Sequence, residues 1–335
     1  MSQLSPQKIP DLAPDLLPLS FKHRPGAWFY ALWKFSRPHT IVGTSLSVLA
    51  LFLIALSESW EPGGSNPGAI SFSLRDSLLL GFPALFACLC GNVYIVGLNQ
   101  LQDVEIDRVN KPHLPLASGE FSRRLGWAIV FTTGILALTI SAWQGMFLMA
   151  TVWLSLLIGT AYSLPPIRLK RFPVWASLCI FSVRGAIVNL GLFLHFNQKM
   201  RQGGVAIPAT VWALTLFILV FTFAIAIFKD IPDLEGDRQY HITTFTVRLG
   251  QQAVFNLARW VLTACYLGMI AGAAWIADVN GTFLLITHLI ALAVLWRLSL
   301  QVDLQDKRSI AQFYQTIWKL FFLEYLLFPA ACLLQ

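Results

Sequence analysis

Nine runs of about twenty apolar residues thread this chain, each long enough to cross a bilayer as a helix. They fall at roughly 39–57, 77–98, 125–143, 145–164, 172–196, 205–228, 260–277, 279–296 and 313–334. Inside hydrocarbon a backbone must satisfy its own hydrogen bonds, which leaves helices or a closed barrel. Runs this long select helices. The expected fold is all-α, a multispan transmembrane helix bundle of nine spans, or of seven or eight if the short seventh or eighth run does not cross. Among its 335 residues, 56% are hydrophobic and 12% charged, which overrides the two soluble domains that length alone suggests.

Charge gives the expected orientation. Of the 24 Lys and Arg residues, 20 fall on the side that carries the N-terminus. The opposite loops hold Arg75, Lys199 and Arg201, and Arg184 lies within the fifth span. The positive-inside rule then makes the N-terminus cytoplasmic and, with nine spans, puts the C-terminus across the membrane. These basic residues are dispersed over short loops between spans, so the net charge of +7 reflects topology and contact with lipid headgroups, not nucleic-acid binding.

Two parts are expected: an N-terminal cytoplasmic-side segment at 1–35, and an integral membrane domain at 36–335. The first is polar, proline-containing and carries Asp11 and Asp15. It is expected to be partly mobile and to rest on the membrane around Trp28-Phe29-Tyr30. It has the layout of neither a cleaved signal peptide nor a transit peptide, so the first span is expected to act as the insertion signal. A second flexible stretch is expected at 61–68, Glu-Pro-Gly-Gly-Ser-Asn-Pro-Gly. The five cysteines all fall inside spans and read as small buried hydrophobes.

Against this background two acidic groups stand out, Asn99-x3-Asp103-x3-Asp107 and Asp230-x2-Asp233-x3-Asp237. Carboxylates are costly near a bilayer, and six oxygen-bearing side chains in two matched groups point to a site. The groups follow the second and sixth spans, so four crossings separate them and both face one compartment. On ideal helices each forms a single stripe, at i, i+4, i+8 and at i, i+3, i+7. Glu105 and Glu235 fall roughly on the opposite faces. Pro232 and Gly236 are expected to disturb the second stripe. Oxygen donors of this kind suit Mg²⁺, which binds carboxylates together with substrate phosphates. Lys111, Lys229 and Arg238 flank the two groups, and Tyr162, Arg168, Lys170 and Arg171 lie in the same-side loop after the fourth span. Cations there would stabilise a departing diphosphate. Arg168, Lys170 and Arg171 also read as topogenic charges at the headgroups.

These motifs resemble the UbiA-type intramembrane prenyltransferase superfamily. The likeness is carried by Asn99-Gln-Leu-Gln-Asp-Val-Glu-Ile-Asp-Arg-Val-Asn-Lys-Pro-His-Leu-Pro-Leu-Ala-Ser-Gly119 and by Phe228-Lys-Asp-Ile-Pro-Asp-Leu-Glu-Gly-Asp-Arg238. It continues in Tyr162-Ser-Leu-Pro-Pro-Ile-Arg168 and Val183-Arg-Gly-Ala-Ile-Val-Asn189, and spans nearly the whole chain after about residue 28. Within the superfamily the flanking residues are most similar to the branch that prenylates homogentisate in tocopherol synthesis.

The resemblance implies that Asn99, Asp103, Asp107, Asp230, Asp233 and Asp237 hold two Mg²⁺ ions bridging a prenyl diphosphate. Lys111, Tyr162, Lys229 and Arg168 or Lys170 would contact that diphosphate. The resemblance further implies an allylic cation, attack by the homogentisate ring, loss of CO₂, and a cyanobacterial-type cell or thylakoid membrane. One departure is visible. Quinone-type relatives often carry Arg before the Pro-Leu after the first motif, whereas here the segment reads Leu114-Pro115-Leu116, leaving Lys111 as the phosphate contact.

Arg184, in mid-span, either faces the cavity, where it would meet the homogentisate carboxylate, or pairs with a partner such as Glu324. Arg37 is a second carboxylate candidate, and Asn189 lies five residues beyond Arg184. Other members of the superfamily remain alternatives, namely homogentisate solanesyltransferase, chlorophyll synthase and 4-hydroxybenzoate polyprenyltransferase. A transporter is a further one, although transport sites usually lie near the midplane.

Overall fold

The computed structural model describes residues 19, 21–59, 74–200, 206–239 and 243–335. The 61–68 stretch, Arg201 and the first eighteen residues, with Asp11 and Asp15, lie outside the described residues. Fourteen α-helices, a 3₁₀ turn, a π-helical turn and no strand occur among the described residues. The α-helices are α1 (Pro25–Phe35), α2 (Pro38–Ser59), α3 (Leu74–Gln102), α4 (Val104–Asn110), α5 (Arg123–Gln144), α6 (Met146–Ser163) and α7 (Pro173–Phe181). The second half comprises α8 (Val188–Met200), α9 (Ala209–Phe228), α10 (Leu234–Gln239), α11 (Phe245–Leu249), α12 (Gln251–Gly272), α13 (Gly281–Ser299) and α14 (Lys307–Leu333).

Local chemistry sets several starts. Pro occupies the first turn of α1 and α7, where its missing N–H costs nothing. The Ser122 hydroxyl accepts the Leu125 N–H at the head of α5, Asn280 accepts that of Phe283, and Asp306 accepts those of Arg308 and Ser309.

Among the described residues nine helical segments are long and apolar enough to cross a membrane, in agreement with the nine runs. Two of the expected boundaries are corrected. The seventh span begins at Gln251, nine residues before the apolar run, and ends at Gly272. Arg259 is tolerated in it because its guanidinium lies over the rings of Trp296 at 4.7 Å and Phe255 at 5.7 Å and donates to Asn256 at 3.1 Å. The ninth begins at Lys307, the first residue after the Asp306 cap, instead of at 313. The fifth span, Pro173–Met200, joins α7 to α8 through a π-helical turn at Ser182–Ile187. Wide turns of this kind recur at functional sites.

Apolar burial does not drive association between helices surrounded by lipid, so close approach at small residues carries much of the packing. A Cβ at Gly134 would lie 2.7 Å from the ring of Tyr94, and one at Gly185 would lie 2.6 Å from the Leu219 Cα of α9. α9 is the most buried span, packed against α12 and α14 through Phe217, Phe221 and Phe228. The second acidic group therefore hangs from the most constrained helix of the bundle.

Polar links fasten the first half. Gln100 donates to the Phe35 carbonyl at 2.6 Å, Asn92 to Thr40 at 2.9 Å, and Lys34 pairs with Glu120 at 2.6 Å. These bonds hold α1, with Ala31 and Phe35 buried, and the start of α2 beside α3. The five cysteines are free thiols, four buried and Cys88 half-buried.

Gly185→Ala is expected to destabilise the bundle by about 1–3 kcal/mol, because backbone, not a movable side chain, occupies the space. Gly268→Ala, with nothing within 4 Å of the new methyl group, is expected to be neutral. Thermal unfolding of both variants in one detergent checks the contrast.

Candidate active site

The first acidic group does not lie on one continuous helix. α3 ends at Gln102, Asp103 leaves helical geometry at φ −115° and ψ 17°, and α4 restarts at Val104. The expected unbroken stripe is therefore kinked at its middle member. The Asp103 N–H still reaches the Asn99 carbonyl at 3.1 Å and the Asp107 N–H reaches that of Asp103 at 2.7 Å, so the three remain stacked. The second group begins in the turn after α9, where Pro232, lacking the N–H that would bond back to Phe228, keeps α9 from running on, and α10 starts at Leu234. Its Asp237 N–H donates to the Asp233 carbonyl at 3.0 Å.

The two groups meet. Lys111, following α4, pairs with Asp233 at 2.5 Å across 122 residues of sequence. Beside it the Asn110 side-chain oxygen accepts the backbone N–H of Gly236 at 3.0 Å. A Cβ at Gly236 would lie 2.2 Å from that oxygen, so glycine is what allows the contact. Sequence reading missed Asn110, whose partner is a backbone group that no residue pattern reveals.

Cations close over the carboxylates from three other elements. Arg168 donates to Asp103 at 3.0 Å, and Lys170, in a short 3₁₀ turn, pairs with the same carboxylate. Lys229 lies 3.4 Å from Asp230 and 3.4 Å from the Tyr162 hydroxyl. Arg37 donates to the Asn99 side-chain oxygen at 3.4 Å. Arg37 and Arg168 both take left-handed backbone, at φ 53° and 38°. For a residue with a Cβ this costs about 1–3 kcal/mol and is concentrated at functional sites. The Nε of each is buried without a hydrogen-bond partner. Glu105 pairs with Arg108 and Glu235 with Lys307, both exposed.

All of these sequence candidates open onto one cavity of about 1370 Å³: Asn99, Asp103, Asp107, Lys111, Tyr162, Arg168, Lys170, Arg184, Lys229, Asp230, Asp233 and Asp237. Arg184 sits over the rings of Trp318 at 5.5 Å and Phe321 at 5.7 Å. The pairing with Glu324 does not occur. That carboxylate lies 3.1 Å from His288, both fully buried, and Asn189 instead accepts the Tyr325 hydroxyl at 2.9 Å. The π turn that carries Arg184 and the rotation of α14 decide these partners, and neither is readable from spacing.

Electrostatics make the carboxylates receptive to cations. Burial raises Asp107 to about 6, with Asp103 and Asp233 adding to the rise against Arg37 and Lys111. Burial, then Asp233 and Asp230, raise Asp237 to about 7. Asp230 is raised by the same desolvation in spite of Lys229. Burial draws Lys170 down to about 8 against the pull of Asp103.

The residues fit a hard divalent cation. Every donor is an oxygen, and the Asp107 Oδ2 is buried with no hydrogen-bond partner. Among the described residues no three His, Cys, Asp or Glu side chains converge into a cage of protein ligands alone. Mg²⁺ is commonly bound that way, with phosphate oxygens completing its shell.

An apolar bundle with paired acidic motifs over a cationic cavity defines an integral membrane enzyme built for an amphiphilic diphosphate. Residues 66–323 match the UbiA prenyltransferase family, and the chain belongs to that family. It is 54% identical over 310 residues to the homogentisate phytyltransferase of Synechocystis sp., covering 91% of this chain and 96% of that one. It is 40% identical to homogentisate phytyltransferase 1 of Arabidopsis thaliana, covering 89% and 74%. The fold matches a solved UbiA homologue from Archaeoglobus fulgidus, described as bound to GPP and Mg²⁺, with a TM-score of 0.59 at 16% identity over 90% of this chain and 99% of that one.

Protons and metal compete for the same raised carboxylates. Lowering the pH from about 8 to about 6 protonates most of Asp237 and half of Asp107, so Mg²⁺ affinity is expected to fall about tenfold or more. Calorimetric titration of Mg²⁺ in the presence of a non-cleavable prenyl diphosphonate at both pH values measures it.

Proposed function

We propose that this prenyltransferase moves a phytyl group from phytyl diphosphate to the ring of homogentisate, releasing diphosphate and CO₂ and forming a methyl-phytyl-benzoquinol. The observation that carries the reading is the meeting of the two acidic motifs across one cavity, under cations contributed by four separate segments. The names of the relatives supply the acceptor and the tail.

In this reading Asn99, Asp103, Asp107, Asp230, Asp233 and Asp237 hold two Mg²⁺ ions. When bound, these would neutralise the diphosphate and the charge that builds on it as the C–O bond breaks. Lys111, Lys229, Arg168 and Lys170 bind the phosphate oxygens, with Tyr162 as a neutral donor beside Lys229. Arg37 lines the same cavity and adds a further cation at that end. Apolar cavity walls, among them Ile95, Val152, Leu156 and Ile180, take the tail and keep water from the allylic cation.

The homogentisate ring attacks that cation. The proton displaced from the ring carbon balances the one taken up by the side-chain carbon as CO₂ departs. The acidic motifs face the cytoplasm, in a cyanobacterial-type cell or thylakoid membrane.

Membranes containing the protein, Mg²⁺ and homogentisate are supplied in turn with phytyl, geranylgeranyl and solanesyl diphosphate. A phytylated quinol is expected as the main product. No prenylated quinol from any donor overturns the reaction, and preference for another donor overturns the tail. Asp103→Ala and Asp230→Ala are each expected to reduce turnover by at least about 10²-fold while the protein still inserts.

A further inference from the structure

Arg184 is a cation in mid-membrane whose partner the protein does not provide. It lies on the π turn of the fifth span, and the ion pairs among the described residues do not include it. Glu324, the alternative partner that the sequence offers, is held by His288. Instead the guanidinium lies over the faces of Trp318 and Phe321 and lines the cavity. Aromatic faces hold a guanidinium in place, but they do not use its forked N–H donors.

Gly43 of α2 is what admits the guanidinium to this place, since a Cβ there would lie 2.8 Å from the Arg184 Nη1. A forked cation that lines the cavity with no carboxylate against it is a receptor for a planar anion of carboxylate size.

His39 fixes where that receptor lies relative to the diphosphate end. Its ring packs on Trp318 at 4.8 Å, and it is within electrostatic reach of Arg37, Arg184 and Lys111. Lys111 belongs to the acidic motifs, so Arg184 borders the same chamber on the membrane side of them. Arg37 is engaged with Asn99 and belongs to the diphosphate end.

We propose that Arg184, seated on Trp318 and Phe321 and admitted beside α2 by Gly43, binds the carboxylate of the aromatic acceptor and so selects an arylacetate over an uncharged quinol. This deepens the reading above, since it rests on homogentisate as acceptor. The contact concerns binding alone: the carboxylate is held as an anion and no bond changes at Arg184.

Two measurements separate the two claims. Purified protein in nanodiscs is titrated with homogentisate and with methylhydroquinone, which lacks the carboxylate. Wild type is expected to favour homogentisate at least about tenfold, about 1.4 kcal/mol. Arg184→Leu is expected to erase that preference while leaving methylhydroquinone binding in place, with Arg184→Lys restoring part of it. In turnover, Arg184→Leu raises the KM for homogentisate about tenfold and leaves that for phytyl diphosphate within about twofold.

Gly43→Ala, whose methyl group would lie 2.8 Å from the tip of Arg184 and 3.3 Å from the Phe322 ring, raises the homogentisate KM severalfold. It decides the matter if Arg184→Leu fails to insert. An unchanged preference in a well-inserted Arg184→Leu, an equal loss of both ligands, or an unchanged homogentisate KM in Gly43→Ala overturns the assignment. Binding that depends on Arg184 without turnover of homogentisate overturns the proposed reaction and leaves the receptor standing.

Discussion

Desolvated carboxylates at the ends of apolar helices are the constraint on which this structure depends. Asp107, Asp230 and Asp237 are buried, at 5%, 8% and 6% exposure, in a chain with little other polar material to solvate them. Each is pushed up by burial, so the anionic form needs a cation nearby. Lys111 answers from the first half to the second half, while Arg168 and Lys170 answer from the loop after α6 to the first. The helix ends are thereby drawn together. An arrangement in which one half slid away would leave buried charge without a partner, which is strongly destabilising.

The scaffold meets this demand by making the helices that carry the motifs hard to move. α9 is the most buried span and is fixed by aromatic contacts to α12 and α14. α3 is closed upon by α5 at Gly134 and tied to α1 by Gln100. Both then end abruptly, at Asp103 and at the Pro232 turn, and short helices α4 and α10 carry the last acidic residue of each group, Asp107 and Asp237. Rigid spans with broken ends place the side chains while leaving their backbone free of the helical register, a division suited to a site of fixed geometry.

Much of this was legible in the sequence, for identifiable reasons. Span count follows from hydrophobic length, which the bilayer imposes whatever the packing. The candidate residues stood out because a carboxylate in an apolar chain is conspicuous, and an even number of crossings places the two groups on one side. What escaped depends on three-dimensional contacts. Arg259 lies inside the seventh span because two aromatic rings and Asn256 receive it, and a hydropathy reading stops there. The ideal stripe through Asn99, Asp103 and Asp107 assumed an unbroken helix, whereas Asp103 is the break itself. Asn110 recognises a backbone N–H, which leaves no trace in composition. Glu324 stood as one alternative partner for Arg184 because both are charges in spans, but the angular position of each on its helix gives it to His288.

The cavity thus has two kinds of cation, distinguished by what answers their charge. Lys111, Arg168, Lys170 and Lys229 lie against carboxylates of the motifs, so their charge is matched within the protein and an incoming diphosphate must share them. Arg184 lies against aromatic faces, in lower dielectric and without a carboxylate, so its field extends into the chamber largely uncompensated. A multiply charged diphosphate is drawn to the first set by the number of cations and by the oxygen donors that bring metal. A singly charged acceptor gains most from the second, where one anion neutralises one isolated charge. Two anionic substrates in one chamber would otherwise compete for the same cations. Placing the isolated charge on the membrane side of the motifs keeps the anionic groups apart and leaves the space between them for the allylic carbon and the aromatic ring.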